Sequence, residues 1–137
     1  MLFRSALGAE GVQVGSLFAV AEESSAHPAF KELVTTLGEG DTQLALKKLA
    51  PVRLIKNDFF RQVVDAEARG ASAEELTALL GRGRAKKGIF EGDLQHGELE
   101  IGQVSSMIRS VDSVSVIMER LLREARETQL RLNLPLF

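Results

Sequence analysis

The clearest candidate chemistry in this sequence sits at Gln13-Val14-Gly15-Ser16. Residues 12–14 read as a short buried strand that runs into a turn at Gly15-Ser16. A strand ending in glycine and then a hydroxyl residue can present a row of free backbone N–H groups, and such a row suits phosphate. Gly15 lets the backbone come close to a ligand, and the Ser16 hydroxyl adds a donor. Strand-Gly-Ser turns are common, so the turn by itself is a weak signal.

The other reactive residue types have plainer readings. His27 precedes Pro28, which suits the first position of a helix, and a boundary residue that caps or packs outweighs a ligand contact there. His96 reads as a surface loop residue. Glu91, Asp93, Glu98 and Glu100 lack the regular oxygen-ligand spacing of a calcium loop, so solvated acids are favoured and no metal is assigned. Arg82, Arg84, Lys86 and Lys87 form a basic run. No aromatic residues are interleaved to stack bases, so a solvated helix face is preferred to an anion site.

Further along the chain, 13–16 keeps particular company. Gly8-Ala-Glu-Gly-Val-Gln-Val-Gly-Ser is followed by Glu23-Ser24-Ser25-Ala26-His27-Pro28-Ala29-Phe30-Lys31-Glu32. Then come Val52-Arg53-Leu54-Ile55-Lys56-Asn57, Glu91-Gly92-Asp93 and Gly102-Gln103. In this order and spacing they resemble the carboxyl-terminal part of the nitronate monooxygenase (2-nitropropane dioxygenase) family. That family shares its fold with the flavin-dependent enoyl-acyl-carrier-protein reductases. The resemblance runs from about residue 6 to about residue 127, and 11–32 is its most specific stretch.

The resemblance implies an α/β protein: the carboxyl-terminal part of a TIM (β/α)8 barrel with a mostly helical inserted cap domain. Residues 6–21 would be the last barrel strand and phosphate-binding turn, 22–111 the cap, and 112–132 the final barrel helix. It further implies noncovalent FMN, with Gln13, Val14, Gly15 and Ser16 at the flavin phosphate. Gly102 and Gln103 would return from the cap toward the flavin pocket. The implied chemistry is oxidation of alkyl nitronates with dioxygen, or in the reductase branch transfer of hydride from NAD(P)H to an enoyl thioester. The family's catalytic histidine lies upstream of the matching region, so no catalytic residue is assigned here. Four positions depart from the common pattern. Many members have threonine at Ser16, arginine at Leu17, and Met-Ala in place of Glu100-Ile101.

The elements that must position these residues are legible from pattern. Phe30, Leu33, Val34 and Leu37 fall on one helical face before Gly38. Residues 41–55 read as a hairpin-like excursion, with strands at 44–46 and 52–55 and a further candidate at 99–101. Asn57 is an N-cap for a helix carrying Phe59, Phe60 and Val63, with the two phenylalanines read as core. Ser72-Ala-Glu-Glu75 is a capping box. Gly88 to Gln103 is glycine-dense and reads as irregular. From Ser113, with Asp112 or Ser113 as cap, Val114, Ile117, Met118, Leu121 and Leu122 recur on one face. That face is expected to pack on residues 12–20.

Composition bounds the alternatives. At 137 residues and net charge −2, nothing draws the chain toward nucleic acid or an anionic membrane. No apolar run is long enough for a membrane span, and no signal peptide is visible. The absence of cysteine excludes disulfides and thiolate metal sites and suits a cytoplasmic location. A lone parallel strand cannot satisfy its backbone, so the chain is expected to be a fragment of a longer enzyme, inactive alone. The expected partner is a small-molecule substrate, an alkyl nitronate or an enoyl thioester, with a homodimer as the assembly considered for the full-length enzyme. The competing reading is a cofactor-free helical interaction module.

Overall fold

The computed structural model describes residue 8 and residues 10–132. Within them run α1 (Ser16–Ala19), α2 (Pro28–Thr36), β1 (Thr42–Ala45), β2 (Val52–Ile55), α3 (Asp58–Ala68) and α4 (Ala73–Leu80). A π-helical turn at Lys86–Phe90 and a 3-10 turn at Gln103–Met107 precede the long α5 (Val114–Leu132).

The helix starts follow the local signals. His27 Nδ1 accepts the Ala29 N–H at 3.2 Å, with Pro28 at the first helical position. His27 is therefore a cap. Asn57 Oδ1 accepts the Phe60 N–H at 2.9 Å, while its Nδ2 donates to the carbonyls of Leu94 and Gly97. One buried amide thus starts α3 and pins the irregular segment beside it. Ser72 and Glu75 form the reciprocal capping box of α4. Gly81 closes that helix at φ 65, in the left-handed region that favours glycine.

The hairpin pairs Thr42 with Ile55 and Ala45 with Val52, antiparallel. The first strand ends one residue earlier than expected because Leu46 takes φ 55, which leaves the extended region. Residues 99–101 contribute one isolated bridge, Leu54 to Glu100, rather than a strand.

Alternation along β2 splits the core in two. Leu54 joins Ala45, Leu46, Phe59, Phe60, Val63 and Leu76. Ile55, the next residue, joins Val20, Phe30, Val34, Leu99, Ile101 and Ile108 on the other side. The Phe59-Phe60 pair is core, as expected. Arg84 is not on a solvated face: it donates to the carbonyls of Leu79, Leu80 and His96 and lies 4.6 Å from the Phe59 ring centroid. It covers the orphan carbonyls that end α4. Lys86 and Lys87 pair with Glu91 and Asp93.

Two further expectations are corrected. Residues 12–14 form no strand, and Val12 is 48% exposed. The described residues hold a single two-stranded sheet, so nothing here pairs with a barrel strand at that point. Of the expected 6–21 unit, residues 6, 7 and 9 lie outside the described residues. The apolar face of α5 is mostly open. Ile117 is buried, whereas Val114, Met118 and Leu122 are exposed and Leu121 is half-buried. α5 does touch α1, but little else among the described elements covers it.

Candidate functional site

The stretch from Ser16 to Lys31 is knotted by its own side chains. Ser24 Oγ donates to the Ala19 carbonyl at 2.7 Å. The buried Lys31 ammonium donates to the carbonyls of Glu22 and Ser24. Glu23 accepts the Val114 N–H at 2.9 Å through one carboxylate oxygen and at 3.1 Å through the other. A carboxylate at a helix start also opposes the positive end of the helix dipole. Ser113 supplies the cap hydroxyl to the Val116 N–H, and Asp112 pairs instead with Arg120 at 2.8 Å. Glu23 thus ties the start of α5 to the segment between α1 and α2.

The knot holds residues 13–16 at the lip of a cavity of about 620 Å³. Gln13, Val14, Gly15 and Ser16 line it together with Val104, Met107 and Leu121. Arg109 and Arg120 are also among its lining residues. A Cβ at Gly15 would meet no heavy atom within 4 Å, so the space beside this backbone is open. The chain turns directly into α1, whose first N–H groups lack intrahelical partners. Backbone donors, a hydroxyl, an open approach and apolar side chains in the lining fit a group with an anionic end and an aromatic or aliphatic body.

The second expected segment comes to the same place. The Gly102 N–H donates to Ser16 Oγ at 3.0 Å across 86 positions of sequence. Gly102 and Ser16 also border a shallower concavity of about 380 Å³ with Arg53 and Glu100. Gln103 is exposed and does not line the larger cavity. Pattern reading missed Val104, Met107, Arg109 and Arg120. Val104 and Met107 carried one available signal, since they are apolar side chains standing exposed on a short irregular turn, Met107 at 77%.

The acidic residues of the glycine-dense segment make local contacts. Among the described residues no group of three His, Cys, Asp or Glu side chains could hold a metal ion. The Asp93 carboxylate accepts from the His96 N–H and pairs with Lys87, and these hold its pKa down at about 2. Its stabilising contribution is present above the unfolded carboxylate range and fades as pH falls toward 2. Glu98 is the opposite case. Burial, aided by the charge of Glu100, pushes its carboxyl up, with Arg84 opposing. Its contribution is greatest below the unfolded value of about 4.3 and is lost as pH rises through the raised folded value. Glu98→Gln is therefore expected to stabilise the protein at pH 7. That advantage should shrink toward pH 4, as read by urea midpoints at the two pH values.

Comparison with known proteins gives concordant findings. A family model described as nitronate monooxygenase matches residues 4–124. A probable nitronate monooxygenase of Bacillus subtilis (strain 168) is 50% identical over 38 residues, which is 28% of this chain and 11% of that protein. The structure of FabK from Thermotoga maritima superposes with a TM-score of 0.81 at 34% identity, covering 93% of this chain and 40% of that one. A single-substitution mutant of the same protein gives a TM-score of 0.75 at 30% identity, covering 93% of this chain and 37% of that one. The chain therefore spans well under half the length of these solved structures. No described helix is long and apolar enough to cross a membrane.

Proposed function

The chain belongs to the nitronate monooxygenase family, and from that premise we propose that it is the carboxyl-terminal part of an FMN-dependent oxidoreductase acting on alkyl nitronates. The family and its solved neighbours imply a TIM-barrel enzyme fold. The described residues are a mixed, mostly helical portion of such a fold, with little sheet. The match across residues 4–124 takes in the turn at 13–16, which the cofactor-free helical module leaves unexplained.

One observation carries the reading of the site. Residues 13–16 and Gly102, far apart in sequence, meet through the Ser16–Gly102 hydrogen bond beside a cavity of about 620 Å³. In this account the backbone N–H groups at 13–16 and the Ser16 hydroxyl hold the flavin phosphate. Gly15 keeps the approach clear. Val104 and Met107 form an apolar wall that excludes water from the bound group. Bound FMN supplies the redox chemistry, and the protein supplies orientation and access. Residues 22–111 act as the cap and 112–132 as the closing helix. The full-length enzyme is a cytoplasmic homodimer in this account.

Reduction of an enoyl thioester with NAD(P)H is the runner-up, and the solved neighbours at 34% and 30% identity keep it in view. The departure at Glu100-Ile101 bears on the choice. Glu100 is exposed at the shallower concavity beside Ser16, and Ile101 is turned into the core. Oxygen uptake with an alkyl nitronate, against NAD(P)H consumption with an enoyl thioester, decides between them in the full-length enzyme. Nitronate turnover is expected. Enoyl turnover alone selects the runner-up, and inactivity toward both with FMN bound overturns the two readings together.

A further inference from the structure

The Ser16 hydroxyl has one proton and two lone pairs. One lone pair is occupied by the Gly102 N–H at 3.0 Å. That bond leaves the Ser16 proton free for an acceptor at the cavity lip. Position 102 has little latitude: a Cβ there would stand 2.6 Å from Ser16 Oγ. The nearest atom is the end of a rotatable side chain, so alanine at 102 would turn the hydroxyl away rather than break the fold. Downstream, the Ser105 N–H donates to the Gly102 carbonyl and starts the 3-10 turn that presents Val104 and Met107 to the cavity.

We infer that Ser16 is a positioning residue as well as a phosphate contact: its hydroxyl latches Gly102, so that seating of the Gln103–Met107 turn and binding of the flavin phosphate are coupled. This rests on the FMN reading above. Coupling between two sites is reciprocal in binding free energy. The latch should therefore order the turn before FMN arrives, and FMN should order it further.

The test uses the full-length enzyme with two readouts, FMN affinity by fluorescence titration and amide hydrogen exchange over residues 102–108 without FMN. Ser16→Ala should weaken FMN about tenfold or more, as expected for a lost bond to an anion, and should speed exchange at 102–108. Ser16→Thr keeps the hydroxyl and should change neither beyond about twofold. Gly102→Ala should weaken FMN about tenfold alone, yet add less than about twofold in the Ser16→Ala background, because it acts through that hydroxyl. Weakened FMN with unchanged exchange in Ser16→Ala would overturn the latch and leave the phosphate contact standing. Faster exchange with unchanged FMN affinity would overturn the phosphate reading and the coupling with it.

Discussion

Gly15→Val in the full-length enzyme is expected to weaken FMN binding about a hundredfold or more. A phosphate held by the backbone at 13–16 must approach to hydrogen-bond distance, and loss of two charge-assisted bonds accounts for an effect of that order. The structure makes the substitution informative. A Cβ at Gly15 meets no protein atom within 4 Å, and the Gly15 backbone at φ −99 lies where any residue can sit. Valine should therefore leave the fold intact and act on the ligand alone. Thermal unfolding without FMN should be unchanged within a degree or two, while the flavin titration moves. Equal FMN affinity in the two proteins would remove 13–16 from the flavin site.

Gly97→Ala is expected to cost about 4 kcal/mol or more of stability, at the top of the range for single substitutions. A Cβ at 97 would stand 2.2 Å from Gly88 Cα, 2.5 Å from the Asp93 carbonyl oxygen and 2.6 Å from the Gly88 nitrogen. All three are backbone atoms, and none can swing aside. A Cβ at Gly88 would in turn meet the Glu98 carbonyl at 2.8 Å. Two backbone segments cross here with only hydrogen between them. The Gly97 carbonyl also accepts from Asn57, so displacing it would disturb the start of α3. Gly11→Ala is the control, since its Cβ would meet nothing within 4 Å, and it should stay within about 0.5 kcal/mol of the parent. Denaturant midpoints of the two variants check the contrast, and a Gly97→Ala protein as stable as the control would show that the segments do not cross so closely.

What the sequence made legible was local. The Ser72–Glu75 box, Asn57 and the His27-Pro28 pair each act within one helical turn, and each was observed in the expected role. The hairpin, too, is short-range, although its first strand runs over Thr42–Ala45 and the positive φ of Leu46 ends it early. The features that escaped pattern reading are those that need a distant partner. A strand at 12–14 exists only where neighbours bond to it, and the described residues offer none. The exposed Val114, Met118 and Leu122 carry a helical pattern whose covering surface is likewise not among the described residues.

The site divides in the same way. Gln13 to Ser16 were picked out by the glycine-hydroxyl turn and by resemblance, Gly102 and Gln103 by resemblance alone, and the structure joins Ser16 to Gly102 while leaving Gln103 exposed. That glycine 102 accommodates Ser16 Oγ, or that 88 accommodates 97, follows from contacts between remote positions that no local spacing encodes. Arg84 illustrates the converse. Its charge suggested a solvated run, whereas its guanidinium seals the end of α4 over Phe59.

The most direct measurement is the flavin content of the full-length enzyme beside that of residues 1–137 alone, each supplied with FMN and freed of excess. The account predicts about one FMN per full-length chain, lost on Gly15→Val, and no stoichiometric FMN on residues 1–137, whose phosphate turn lacks the rest of a barrel that typically takes about 250 residues. A full-length enzyme that retains no FMN, or residues 1–137 that retain one equivalent and turn over a nitronate, would contradict it.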